Sequence, residues 1–288
     1  MNGFLNVDKP SGMTSRDVVN RVSRALRLKK IGHAGTLDPL ASGVLVLGIG
    51  SATRLIEYVQ RMPKTYRGTF LLGRTSPTED IEGEITLLDN PPIPTLEQLQ
   101  TAAQTFLGET LQRPPAYSAL KVAGRRAYDL ARKGETVVLK PRPITVFRFD
   151  IISYNYPELV LDIECSGGTY VRSLGRDLAE AAGTSALMSA LVRTAIGSFK
   201  QSEACQLGDL SASTLQRWLH PLEVAVMRLH RLDLTPVEAE SVRFGRFIAR
   251  AESFVPRTEC AAFNENGMLV AILMPRGDGC LQPAKNLL

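Results

Sequence analysis

The 288-residue sequence has few of the residues that build metal centres, disulfide frameworks or membrane spans. Its three histidines have no metal-ligand spacing, and its most apolar run, residues 43–50, is too short to span a bilayer. The four cysteines lie far apart and form no C-x-x-C pair, which argues against a thiol-redox motif and a Cys-rich zinc site. They are Cys165, Cys205, Cys260 and Cys280.

The N-terminal residues lack a basic start followed by an apolar stretch, so we expect no signal peptide. Together with scattered cysteines and no membrane segment, this favours a protein of the cytoplasm. We expect no metal and no organic cofactor.

Positive charge is concentrated in two stretches, although the net charge is only +5 and the pI about 9.1. Such clusters favour a polyanionic partner, nucleic acid first, although solvated helix faces explain charge alone equally well. The first stretch holds Arg16, Arg21, Arg24, Arg27, Lys29 and Lys30; the second holds Lys121, Arg125, Arg126, Arg132, Lys133, Lys140 and Arg142.

Hydrophobic periodicity predicts helices and strands in irregular order, which favours an α+β fold over a doubly wound α/β fold. Thr14 or Ser15 caps a first helix that runs to about residue 28, and Thr95 caps another. Further helices are predicted at about 169–182 and 236–249. Strands are predicted at 43–50, 65–72, 84–88, 143–153 and 158–165.

A domain boundary is expected near residues 228–233. The sequence beyond it contains a hairpin with an Asn266-Gly267 turn and predicts a small, mostly β module. We therefore divide the chain into domains 1–229 and 230–288.

The most unusual stretch is residues 32–45, G-H-A-G-T-L-D-P-L-A-S-G-V-L. Two interpretations are open. Asp38 can be a helix N-cap with Pro39 at the first helical position, and His33 an ordinary loop histidine. Alternatively, the loop carries catalytic groups. Its glycine spacing matches neither the P-loop nor G-x-G-x-x-G.

This stretch resembles the catalytic loop of the TruB family of tRNA pseudouridine-55 synthases. Four more segments resemble family motifs in the same order: K-P-S-G-M-T-S at 9–15, K-T-Y-R at 64–67, P-P-A-Y-S-A-L-K-V-A-G-R-R-A-Y-D-L-A-R at 114–132 and C-S-G-G-T-Y-V-R at 165–172. The resemblance covers residues 4 to about 200. It departs from the family at Gly167, where a lysine often stands, and is looser in the C-terminal tail.

The resemblance implies a pseudouridine-synthase fold with a central, mostly antiparallel sheet, a tRNA-gripping insertion at about 112–140 and a PUA-like C-terminal module. It implies an isomerase that converts uridine to pseudouridine at position 55, in the T-loop of tRNA, and needs no metal or cofactor. Asp38 would be the nucleophile on a flipped-out base, and Arg172 would keep it ionised. The partner is the tRNA T-arm, and we expect a monomer.

The resemblance also assigns roles to residues that have ordinary structural explanations. Tyr66 would stack on the uracil and act as a base, while Tyr170 and Leu191 would line the pocket. Tyrosines and leucines in such elements are usually core residues. His33 would fill the space left by the flipped base, and Lys9 would contact phosphate.

Two alternatives stay open. One is a related enzyme that acts on another RNA, such as a guide-RNA-directed synthase. The other is an RNA-folding chaperone whose main contribution is binding.

Overall fold

The computed structural model describes residues 1–115, 117, 121–122, 125–126, 139–249, 258–277 and 279–288. The helices among them are α1 Ser15–Leu26, α2 Ile56–Arg61, α3 Leu96–Gln104, α4 Val171–Ala181, α5 Leu215–Trp218 and α6 Pro236–Arg243. Short 3-10 helices lie at Gly50–Leu55, Gln201–Glu203 and Leu222–Ala225.

The strands in chain order are β1 Gly3–Lys9, β2 Ile31–His33, β3 Ser42–Ile49, β4 Lys64–Leu72, β5 Arg74–Thr75, β6 Thr86–Leu87, β7 Gly108–Gln112, β8 Lys121–Val122, β9 Arg125–Arg126, β10 Arg142–Asn155, β11 Glu158–Cys165, β12 Ala186–Ile196, β13 Phe199–Lys200, β14 Cys205–Gln206, β15 Leu219–His220, β16 His230–Asp233, β17 Ile248–Ala249, β18 Cys260–Phe263, β19 Leu269–Gly277 and β20 Cys280–Asn286.

Within the described residues, eleven strands form the central sheet, and its main order is β14-β1-β3-β12-β4-β11-β10-β7. Most neighbours are antiparallel; β1–β14 and β3–β12 are parallel. This confirms the predicted α+β class with a mostly antiparallel central sheet. No helix in the described ranges is both long and apolar enough to cross a membrane.

The centre of the sheet is the strand β12, which pairs with β4 on one side and β3 on the other. The helix α4 covers this region, and Leu174 of α4 joins Phe70 and Leu161 in one buried cluster. Burying each of these side chains contributes roughly 1.5–3 kcal/mol. The central strands and α4 therefore form a firm platform.

The helix α1 begins with the capping box that the sequence predicts. Thr14 is the N-cap, its hydroxyl accepts from Asp17 N at 3.1 Å, and Asp17 accepts from Thr14 N at 3.0 Å. Val18 and Val22 are buried against the sheet, whereas the arginines of the helix are exposed. The helix thus packs on one face and presents positive charge on the other.

A second sheet, in the order β16-β18-β19-β20-β17, forms from residue 230 onward. The Asn266-Gly267 turn joins β18 and β19 as predicted, with Gly267 N donating to Asn264 O at 2.9 Å. The helix α6 ends at Arg243, which is earlier than predicted. Gly245 follows it in a left-handed conformation (φ 73°) that stops the helix.

The second sheet shares a hydrophobic cluster with the first sheet, on the side where β2 and β3 lie. Phe263 and Ile272 pack in one cluster with Phe4, Ala34 and Val59. Two ion pairs span the same junction, Lys285–Glu57 at 2.6 Å and Arg61–Glu259 at 3.7 Å. The second sheet is thus packed against the first through a common core.

Candidate active site

The loop that carries Asp38 follows β2. Hydrogen bonds join it to the first residue of α1 and to the turn before that helix. Ser15 Oγ donates to Leu37 O at 3.1 Å and accepts from Leu37 N at 2.8 Å, while Gly12 N donates to Pro39 O at 2.8 Å. No helix begins after Asp38, because residues 39–41 lead directly into β3 at Ser42, so the interpretation of Asp38 as an N-cap is wrong. These bonds fix both neighbours of Asp38.

Lys9 is bonded to this loop in the interior of the protein and does not face solvent. It is fully buried, and its Nζ donates to the carbonyls of Met13 at 2.5 Å, Pro10 at 3.0 Å and Pro39 at 3.4 Å. Burial lowers the pKa of Lys9, although the nearby Asp38 carboxylate opposes that shift. A buried ammonium that is bonded to three carbonyls is not placed to contact a phosphate. The geometry corrects our expectation and gives Lys9 a supporting role.

Arg172 brings two aspartates together. Its Nη2 lies 3.4 Å from Asp38 Oδ2, and its Nη1 donates to Asp80 Oδ2 at 2.9 Å. The carbonyls of Thr78 and Tyr117 accept further bonds at 3.0 and 2.9 Å. Arg172 and Asp80 are buried, whereas 41% of the Asp38 side chain is exposed. The guanidinium is therefore held rigidly while Asp38 stays open to a ligand.

Sequence reasoning missed Asp80 and the loop that holds it. Asp80 accepts from Thr78 Oγ1 at 2.5 Å and from Glu82 N at 3.0 Å, a local turn that its spacing permits. Glu79 anchors the loop to α4 through Ser173 Oγ at 2.6 Å and an ion pair with Arg176. A T-x-D turn in a polar loop is common, so only the distant Arg172 distinguishes this aspartate.

Tyr66 and Leu191 lie on adjacent strands. Together with the loop that carries Asp38 they form an apolar surface. Both are about 8% exposed, and they belong to the same cluster as Leu37 and Ala41. Burial raises the pKa of Tyr66, while the positive charge of Arg193 opposes that shift. A neutral aromatic ring beside a carboxylate suits an uncharged planar ligand.

Tyr170 is the residue before α4 and is held by Gln112. The Gln112 amide donates to Tyr170 O at 2.9 Å and accepts from Tyr170 N at 2.8 Å, which copies a backbone bridge. The guanidinium of Arg142 lies over the Tyr170 ring, 5.1 Å from its centre. Tyr170 is therefore fixed two residues before Arg172.

His33 ends β2 and is half-buried. Burial lowers its pKa, and the positive charge of Arg16 acts in the same direction. Its Nδ1 is buried without a hydrogen-bond partner among the described residues. The role of His33 in the space left by a flipped-out base stays a prediction.

The two basic stretches differ in what the structure describes. Arg16, Arg21 and Arg24 are exposed on α1, next to the segment that holds the catalytic loop. In the second stretch, Lys121–Val122 pairs antiparallel with Arg125–Arg126, and nothing of these side chains is described. Exposed positive charge therefore lies near Asp38 on the α1 side.

Solved structures share this fold. The chain "Crystal Structure of a Cbf5-Nop10-Gar1 Complex" aligns with a TM-score of 0.76 at 24% identity, over 99% of this chain and 85% of that one. The "Crystal structure of the archaeal box H/ACA sRNP Nop10-Cbf5 complex" aligns with a TM-score of 0.73 at 22% identity, over 99% and 86%. This likeness shows the fold.

Sequence comparison shows the family. Residues 23–171 match "TruB family pseudouridylate synthase (N terminal domain)", and residues 172–242 match "tRNA pseudouridylate synthase B C-terminal domain". The proteins called tRNA pseudouridine synthase B of Arthrobacter sp. (strain FB24) and Mycobacterium tuberculosis (strain ATCC 25618 / H37Rv) are 41% and 40% identical. These alignments cover 96% of this chain and 94% and 92% of those proteins.

The sheet and the family matches together define an isomerase of the pseudouridine synthase class. Within that class, the chain belongs to the TruB family of pseudouridylate synthases.

Proposed function

We propose that this enzyme isomerises uridine 55 in the T-loop of tRNA, with Asp38 as the nucleophile. The observation that carries the assignment of Asp38 is its pairing with the buried Arg172 at 3.4 Å while its own side chain stays 41% exposed. The relatives named tRNA pseudouridine synthase B, which match nearly the whole chain, support tRNA as the substrate.

The chemistry uses the carboxylate in one of two ways. Asp38 either attacks the anomeric carbon of the ribose or removes the neighbouring ribose proton, and in both cases the bond to ring nitrogen 1 breaks. The uracil then turns over and rejoins through carbon 5. Arg172 pairs with the Asp38 carboxylate and orients it, because Asp80 and two carbonyls fix the guanidinium on its other side.

The pocket receives a base that has left the RNA stack. Tyr66 stacks on the uracil, and Leu191 and Tyr170 close the sides. His33 fills the space that the base leaves, and the exposed arginines of α1 hold phosphates and supply position without base readout. The insertion at about 112–140 and the module at 230–288 extend the RNA-binding surface.

The enzyme acts as a monomer in the cytoplasm, where tRNA is its partner. A single chain supplies Asp38, Tyr66 and Arg172, which lie on one loop, the strand β4 and the helix α4. This arrangement supports a site that is complete without a second copy.

A guide-RNA-directed activity has one observation in its favour, the fold shared with the Cbf5 structures. That likeness is under 25% identity, whereas the tRNA pseudouridine synthase B proteins reach 41%. The stand-alone tRNA enzyme is therefore favoured. A T-arm transcript that is modified by the purified protein, without any added RNA, would decide between them.

The test of Asp38 is a paired measurement on Asp38→Asn and on Asp89→Asn, a matched control at an exposed loop position. Asp38→Asn should form no pseudouridine in a T-arm transcript, because the amide can neither attack nor accept the proton. Its tRNA affinity should stay near that of the wild type, since phosphate contacts dominate binding. Full activity of Asp38→Asn would refute the assignment. Persistent tRNA binding also leaves room for a chaperone role, which strand-annealing assays with this variant would isolate.

A further inference from the structure

Arg193 is the largest fully buried side chain of the described residues, and it lies behind the catalytic loop. Its Nε donates to Val44 O at 2.8 Å, its Nη1 to Thr36 O at 3.3 Å and its Nη2 to Gly35 O at 3.2 Å. Two of these carbonyls immediately precede the Leu37–Asp38 segment. A single side chain thus fixes both the loop and the strand that follows it.

The guanidinium of Arg193 is bonded to carbonyls and not to a carboxylate. No carboxylate of the described residues lies within ion-pair distance of its guanidinium, in contrast to Arg172 with Asp38 and Asp80. Arginine stays protonated in proteins, and a buried charge without a partner is costly to the fold. Three carbonyl bonds satisfy N–H donors of the guanidinium but do not neutralise its charge. The uncompensated charge therefore calls for a separate explanation.

The register of the sheet places Arg193 beside Tyr66. Arg193 on β12 is directly opposite Tyr66 on β4, so the two side chains share one face of the sheet. On its other side Arg193 pairs with Gly43, where a side chain would collide with the Arg193 backbone. The positive charge of Arg193 also lowers the pKa of Lys9 and of Lys64, which border the same space. The charge of Arg193 therefore acts on the titratable groups around it.

We propose that Arg193 is a positioning residue that holds the catalytic loop by its carbonyls and supplies the positive charge that lets the Tyr66 hydroxyl act as a base. The inference rests on the proposed function, because the base is needed only when uracil has rejoined the ribose through carbon 5. Burial opposes ionisation of Tyr66, and Arg193 is the main neighbour that favours it. Without Arg193 the phenolate would be buried with no stabilising charge.

The proton transfer balances as follows. The rejoined uracil carries both a hydrogen and the ribose on carbon 5, with a double bond between nitrogen 1 and carbon 6. The Tyr66 phenolate takes the carbon-5 proton, and the C–H electron pair forms the double bond between carbons 5 and 6. The electrons of the former double bond move to nitrogen 1, which takes a proton from solvent. Tyr66 later returns its proton to solvent, and nothing is oxidised or reduced.

The test compares Arg193→Met, which loses the charge, with Arg193→Lys, which keeps it but cannot reach all three carbonyls. Arg67→Met is the matched control, because Arg67 follows Tyr66 on β4 but its side chain is 54% exposed. Single-turnover rates are measured on a T-arm transcript with hydrogen or deuterium at carbon 5 of the target uridine, across pH 6 to 9. We expect Arg193→Met to lose about a hundredfold in rate, to show a primary isotope effect larger than that of the wild type, and to need a higher pH for its remaining activity.

Arg193→Lys should lose rate without the alkaline displacement, which keeps the test decisive if Arg193→Met does not fold. In a Tyr66→Phe background, Arg193→Met should lose no more rate than Arg193→Lys, because only the effect on the loop remains. A folded Arg193→Met enzyme with the isotope effect and pH profile of the wild type would overturn the inference, as would full additivity with Tyr66→Phe. A wild-type enzyme that leaves the T-arm unmodified would instead refute the proposed function.

Discussion

Replacing Asp80 tests whether this buried aspartate fixes Arg172 in its position beside Asp38. In Asp80→Asn the amide can still accept from Thr78 Oγ1 and Glu82 N through one oxygen. The other position becomes an NH2 group that faces the Arg172 donor. The substitution therefore removes the negative charge and places the asparagine NH2 group against the Arg172 N–H group, so that two donors face each other. The side-chain volume hardly changes.

The expected cost follows from burial. Asp80 is 1% and Arg172 8% exposed. Breaking a buried ion pair from one side costs about 3–5 kcal/mol, and we expect the lower end, about 3 kcal/mol, because Arg172 keeps Asp38 and two carbonyls. For a chain of this size that lowers Tm by about 6 °C. Asp150→Asn removes an exposed partner of Arg148 at 2.8 Å and should cost less than about 1 kcal/mol.

The assays are calorimetric unfolding and turnover on a T-arm transcript. Once Asp80 is neutral, Arg172 is no longer fixed behind Asp38, so kcat should fall by about tenfold or more while KM changes little. A Tm and a kcat that match those of Asp150→Asn would refute the reasoning. A lower Tm with unchanged kcat would limit Asp80 to a role in stability.

Three further changes probe other parts of the structure. Burial lowers the pKa of Lys64 to about 8 from 10.5, so the folded state binds fewer protons than the unfolded state between these values. The free energy of unfolding should rise with pH by up to about 3 kcal/mol relative to Lys64→Met, and parallel pH curves from denaturant unfolding would contradict this. Gln112→Ala leaves the backbone N–H of Tyr170 unpaired, while Tyr170 O keeps its bond from Leu174 N, and should cost about 2 kcal/mol, measured by urea unfolding, whereas no loss would show that water replaces the amide. Replacing Arg21 and Arg24 by glutamine should lower the slope of log Kd for tRNA against log salt by about 1–2, and an unchanged slope would show that α1 does not contact phosphates.

Local signals predicted the elements whose determinants lie within a few residues of each other. The Thr14–Asp17 box fixes the start of α1, and the alternation of β11 gives its bounds, Glu158–Cys165. Gly245 was available as the stop signal of α6, yet the apolar pattern beyond it extended the predicted helix to 249. The turn at Asn266-Gly267 was predicted because its backbone requirement is met by those two residues alone.

The strand β12 was not predicted, although it is central to the sheet. Its sequence, A-L-M-S-A-L-V-R-T-A-I, has no alternation of polar and apolar residues, since much of the strand is buried by α4 and by the catalytic loop. A buried strand of this kind resembles a helix segment in sequence. Consequently Arg193, which β12 carries, could not be placed either.

The site was predicted in part for a related reason. Family resemblance selected Asp38 and Arg172, and the structure brings them together at 3.4 Å. Asp80 meets Arg172 across 92 residues of sequence, so no spacing rule connects them. Lys9 was assigned to phosphate by the family resemblance, and only the fold shows three carbonyls around its ammonium group.

The common core between the two sheets holds them at a fixed distance from each other. Ala34 of the catalytic loop packs in the same cluster as Phe263 and Ile272 of the second sheet, so the span between Asp38 and the C-terminal surface is set by close packing. An RNA that touches both must present its target uridine and its second contact at that span. For an RNA that touches both surfaces, an inserted base pair would change the distance between its two contacts, and we expect such an RNA to be a poor substrate.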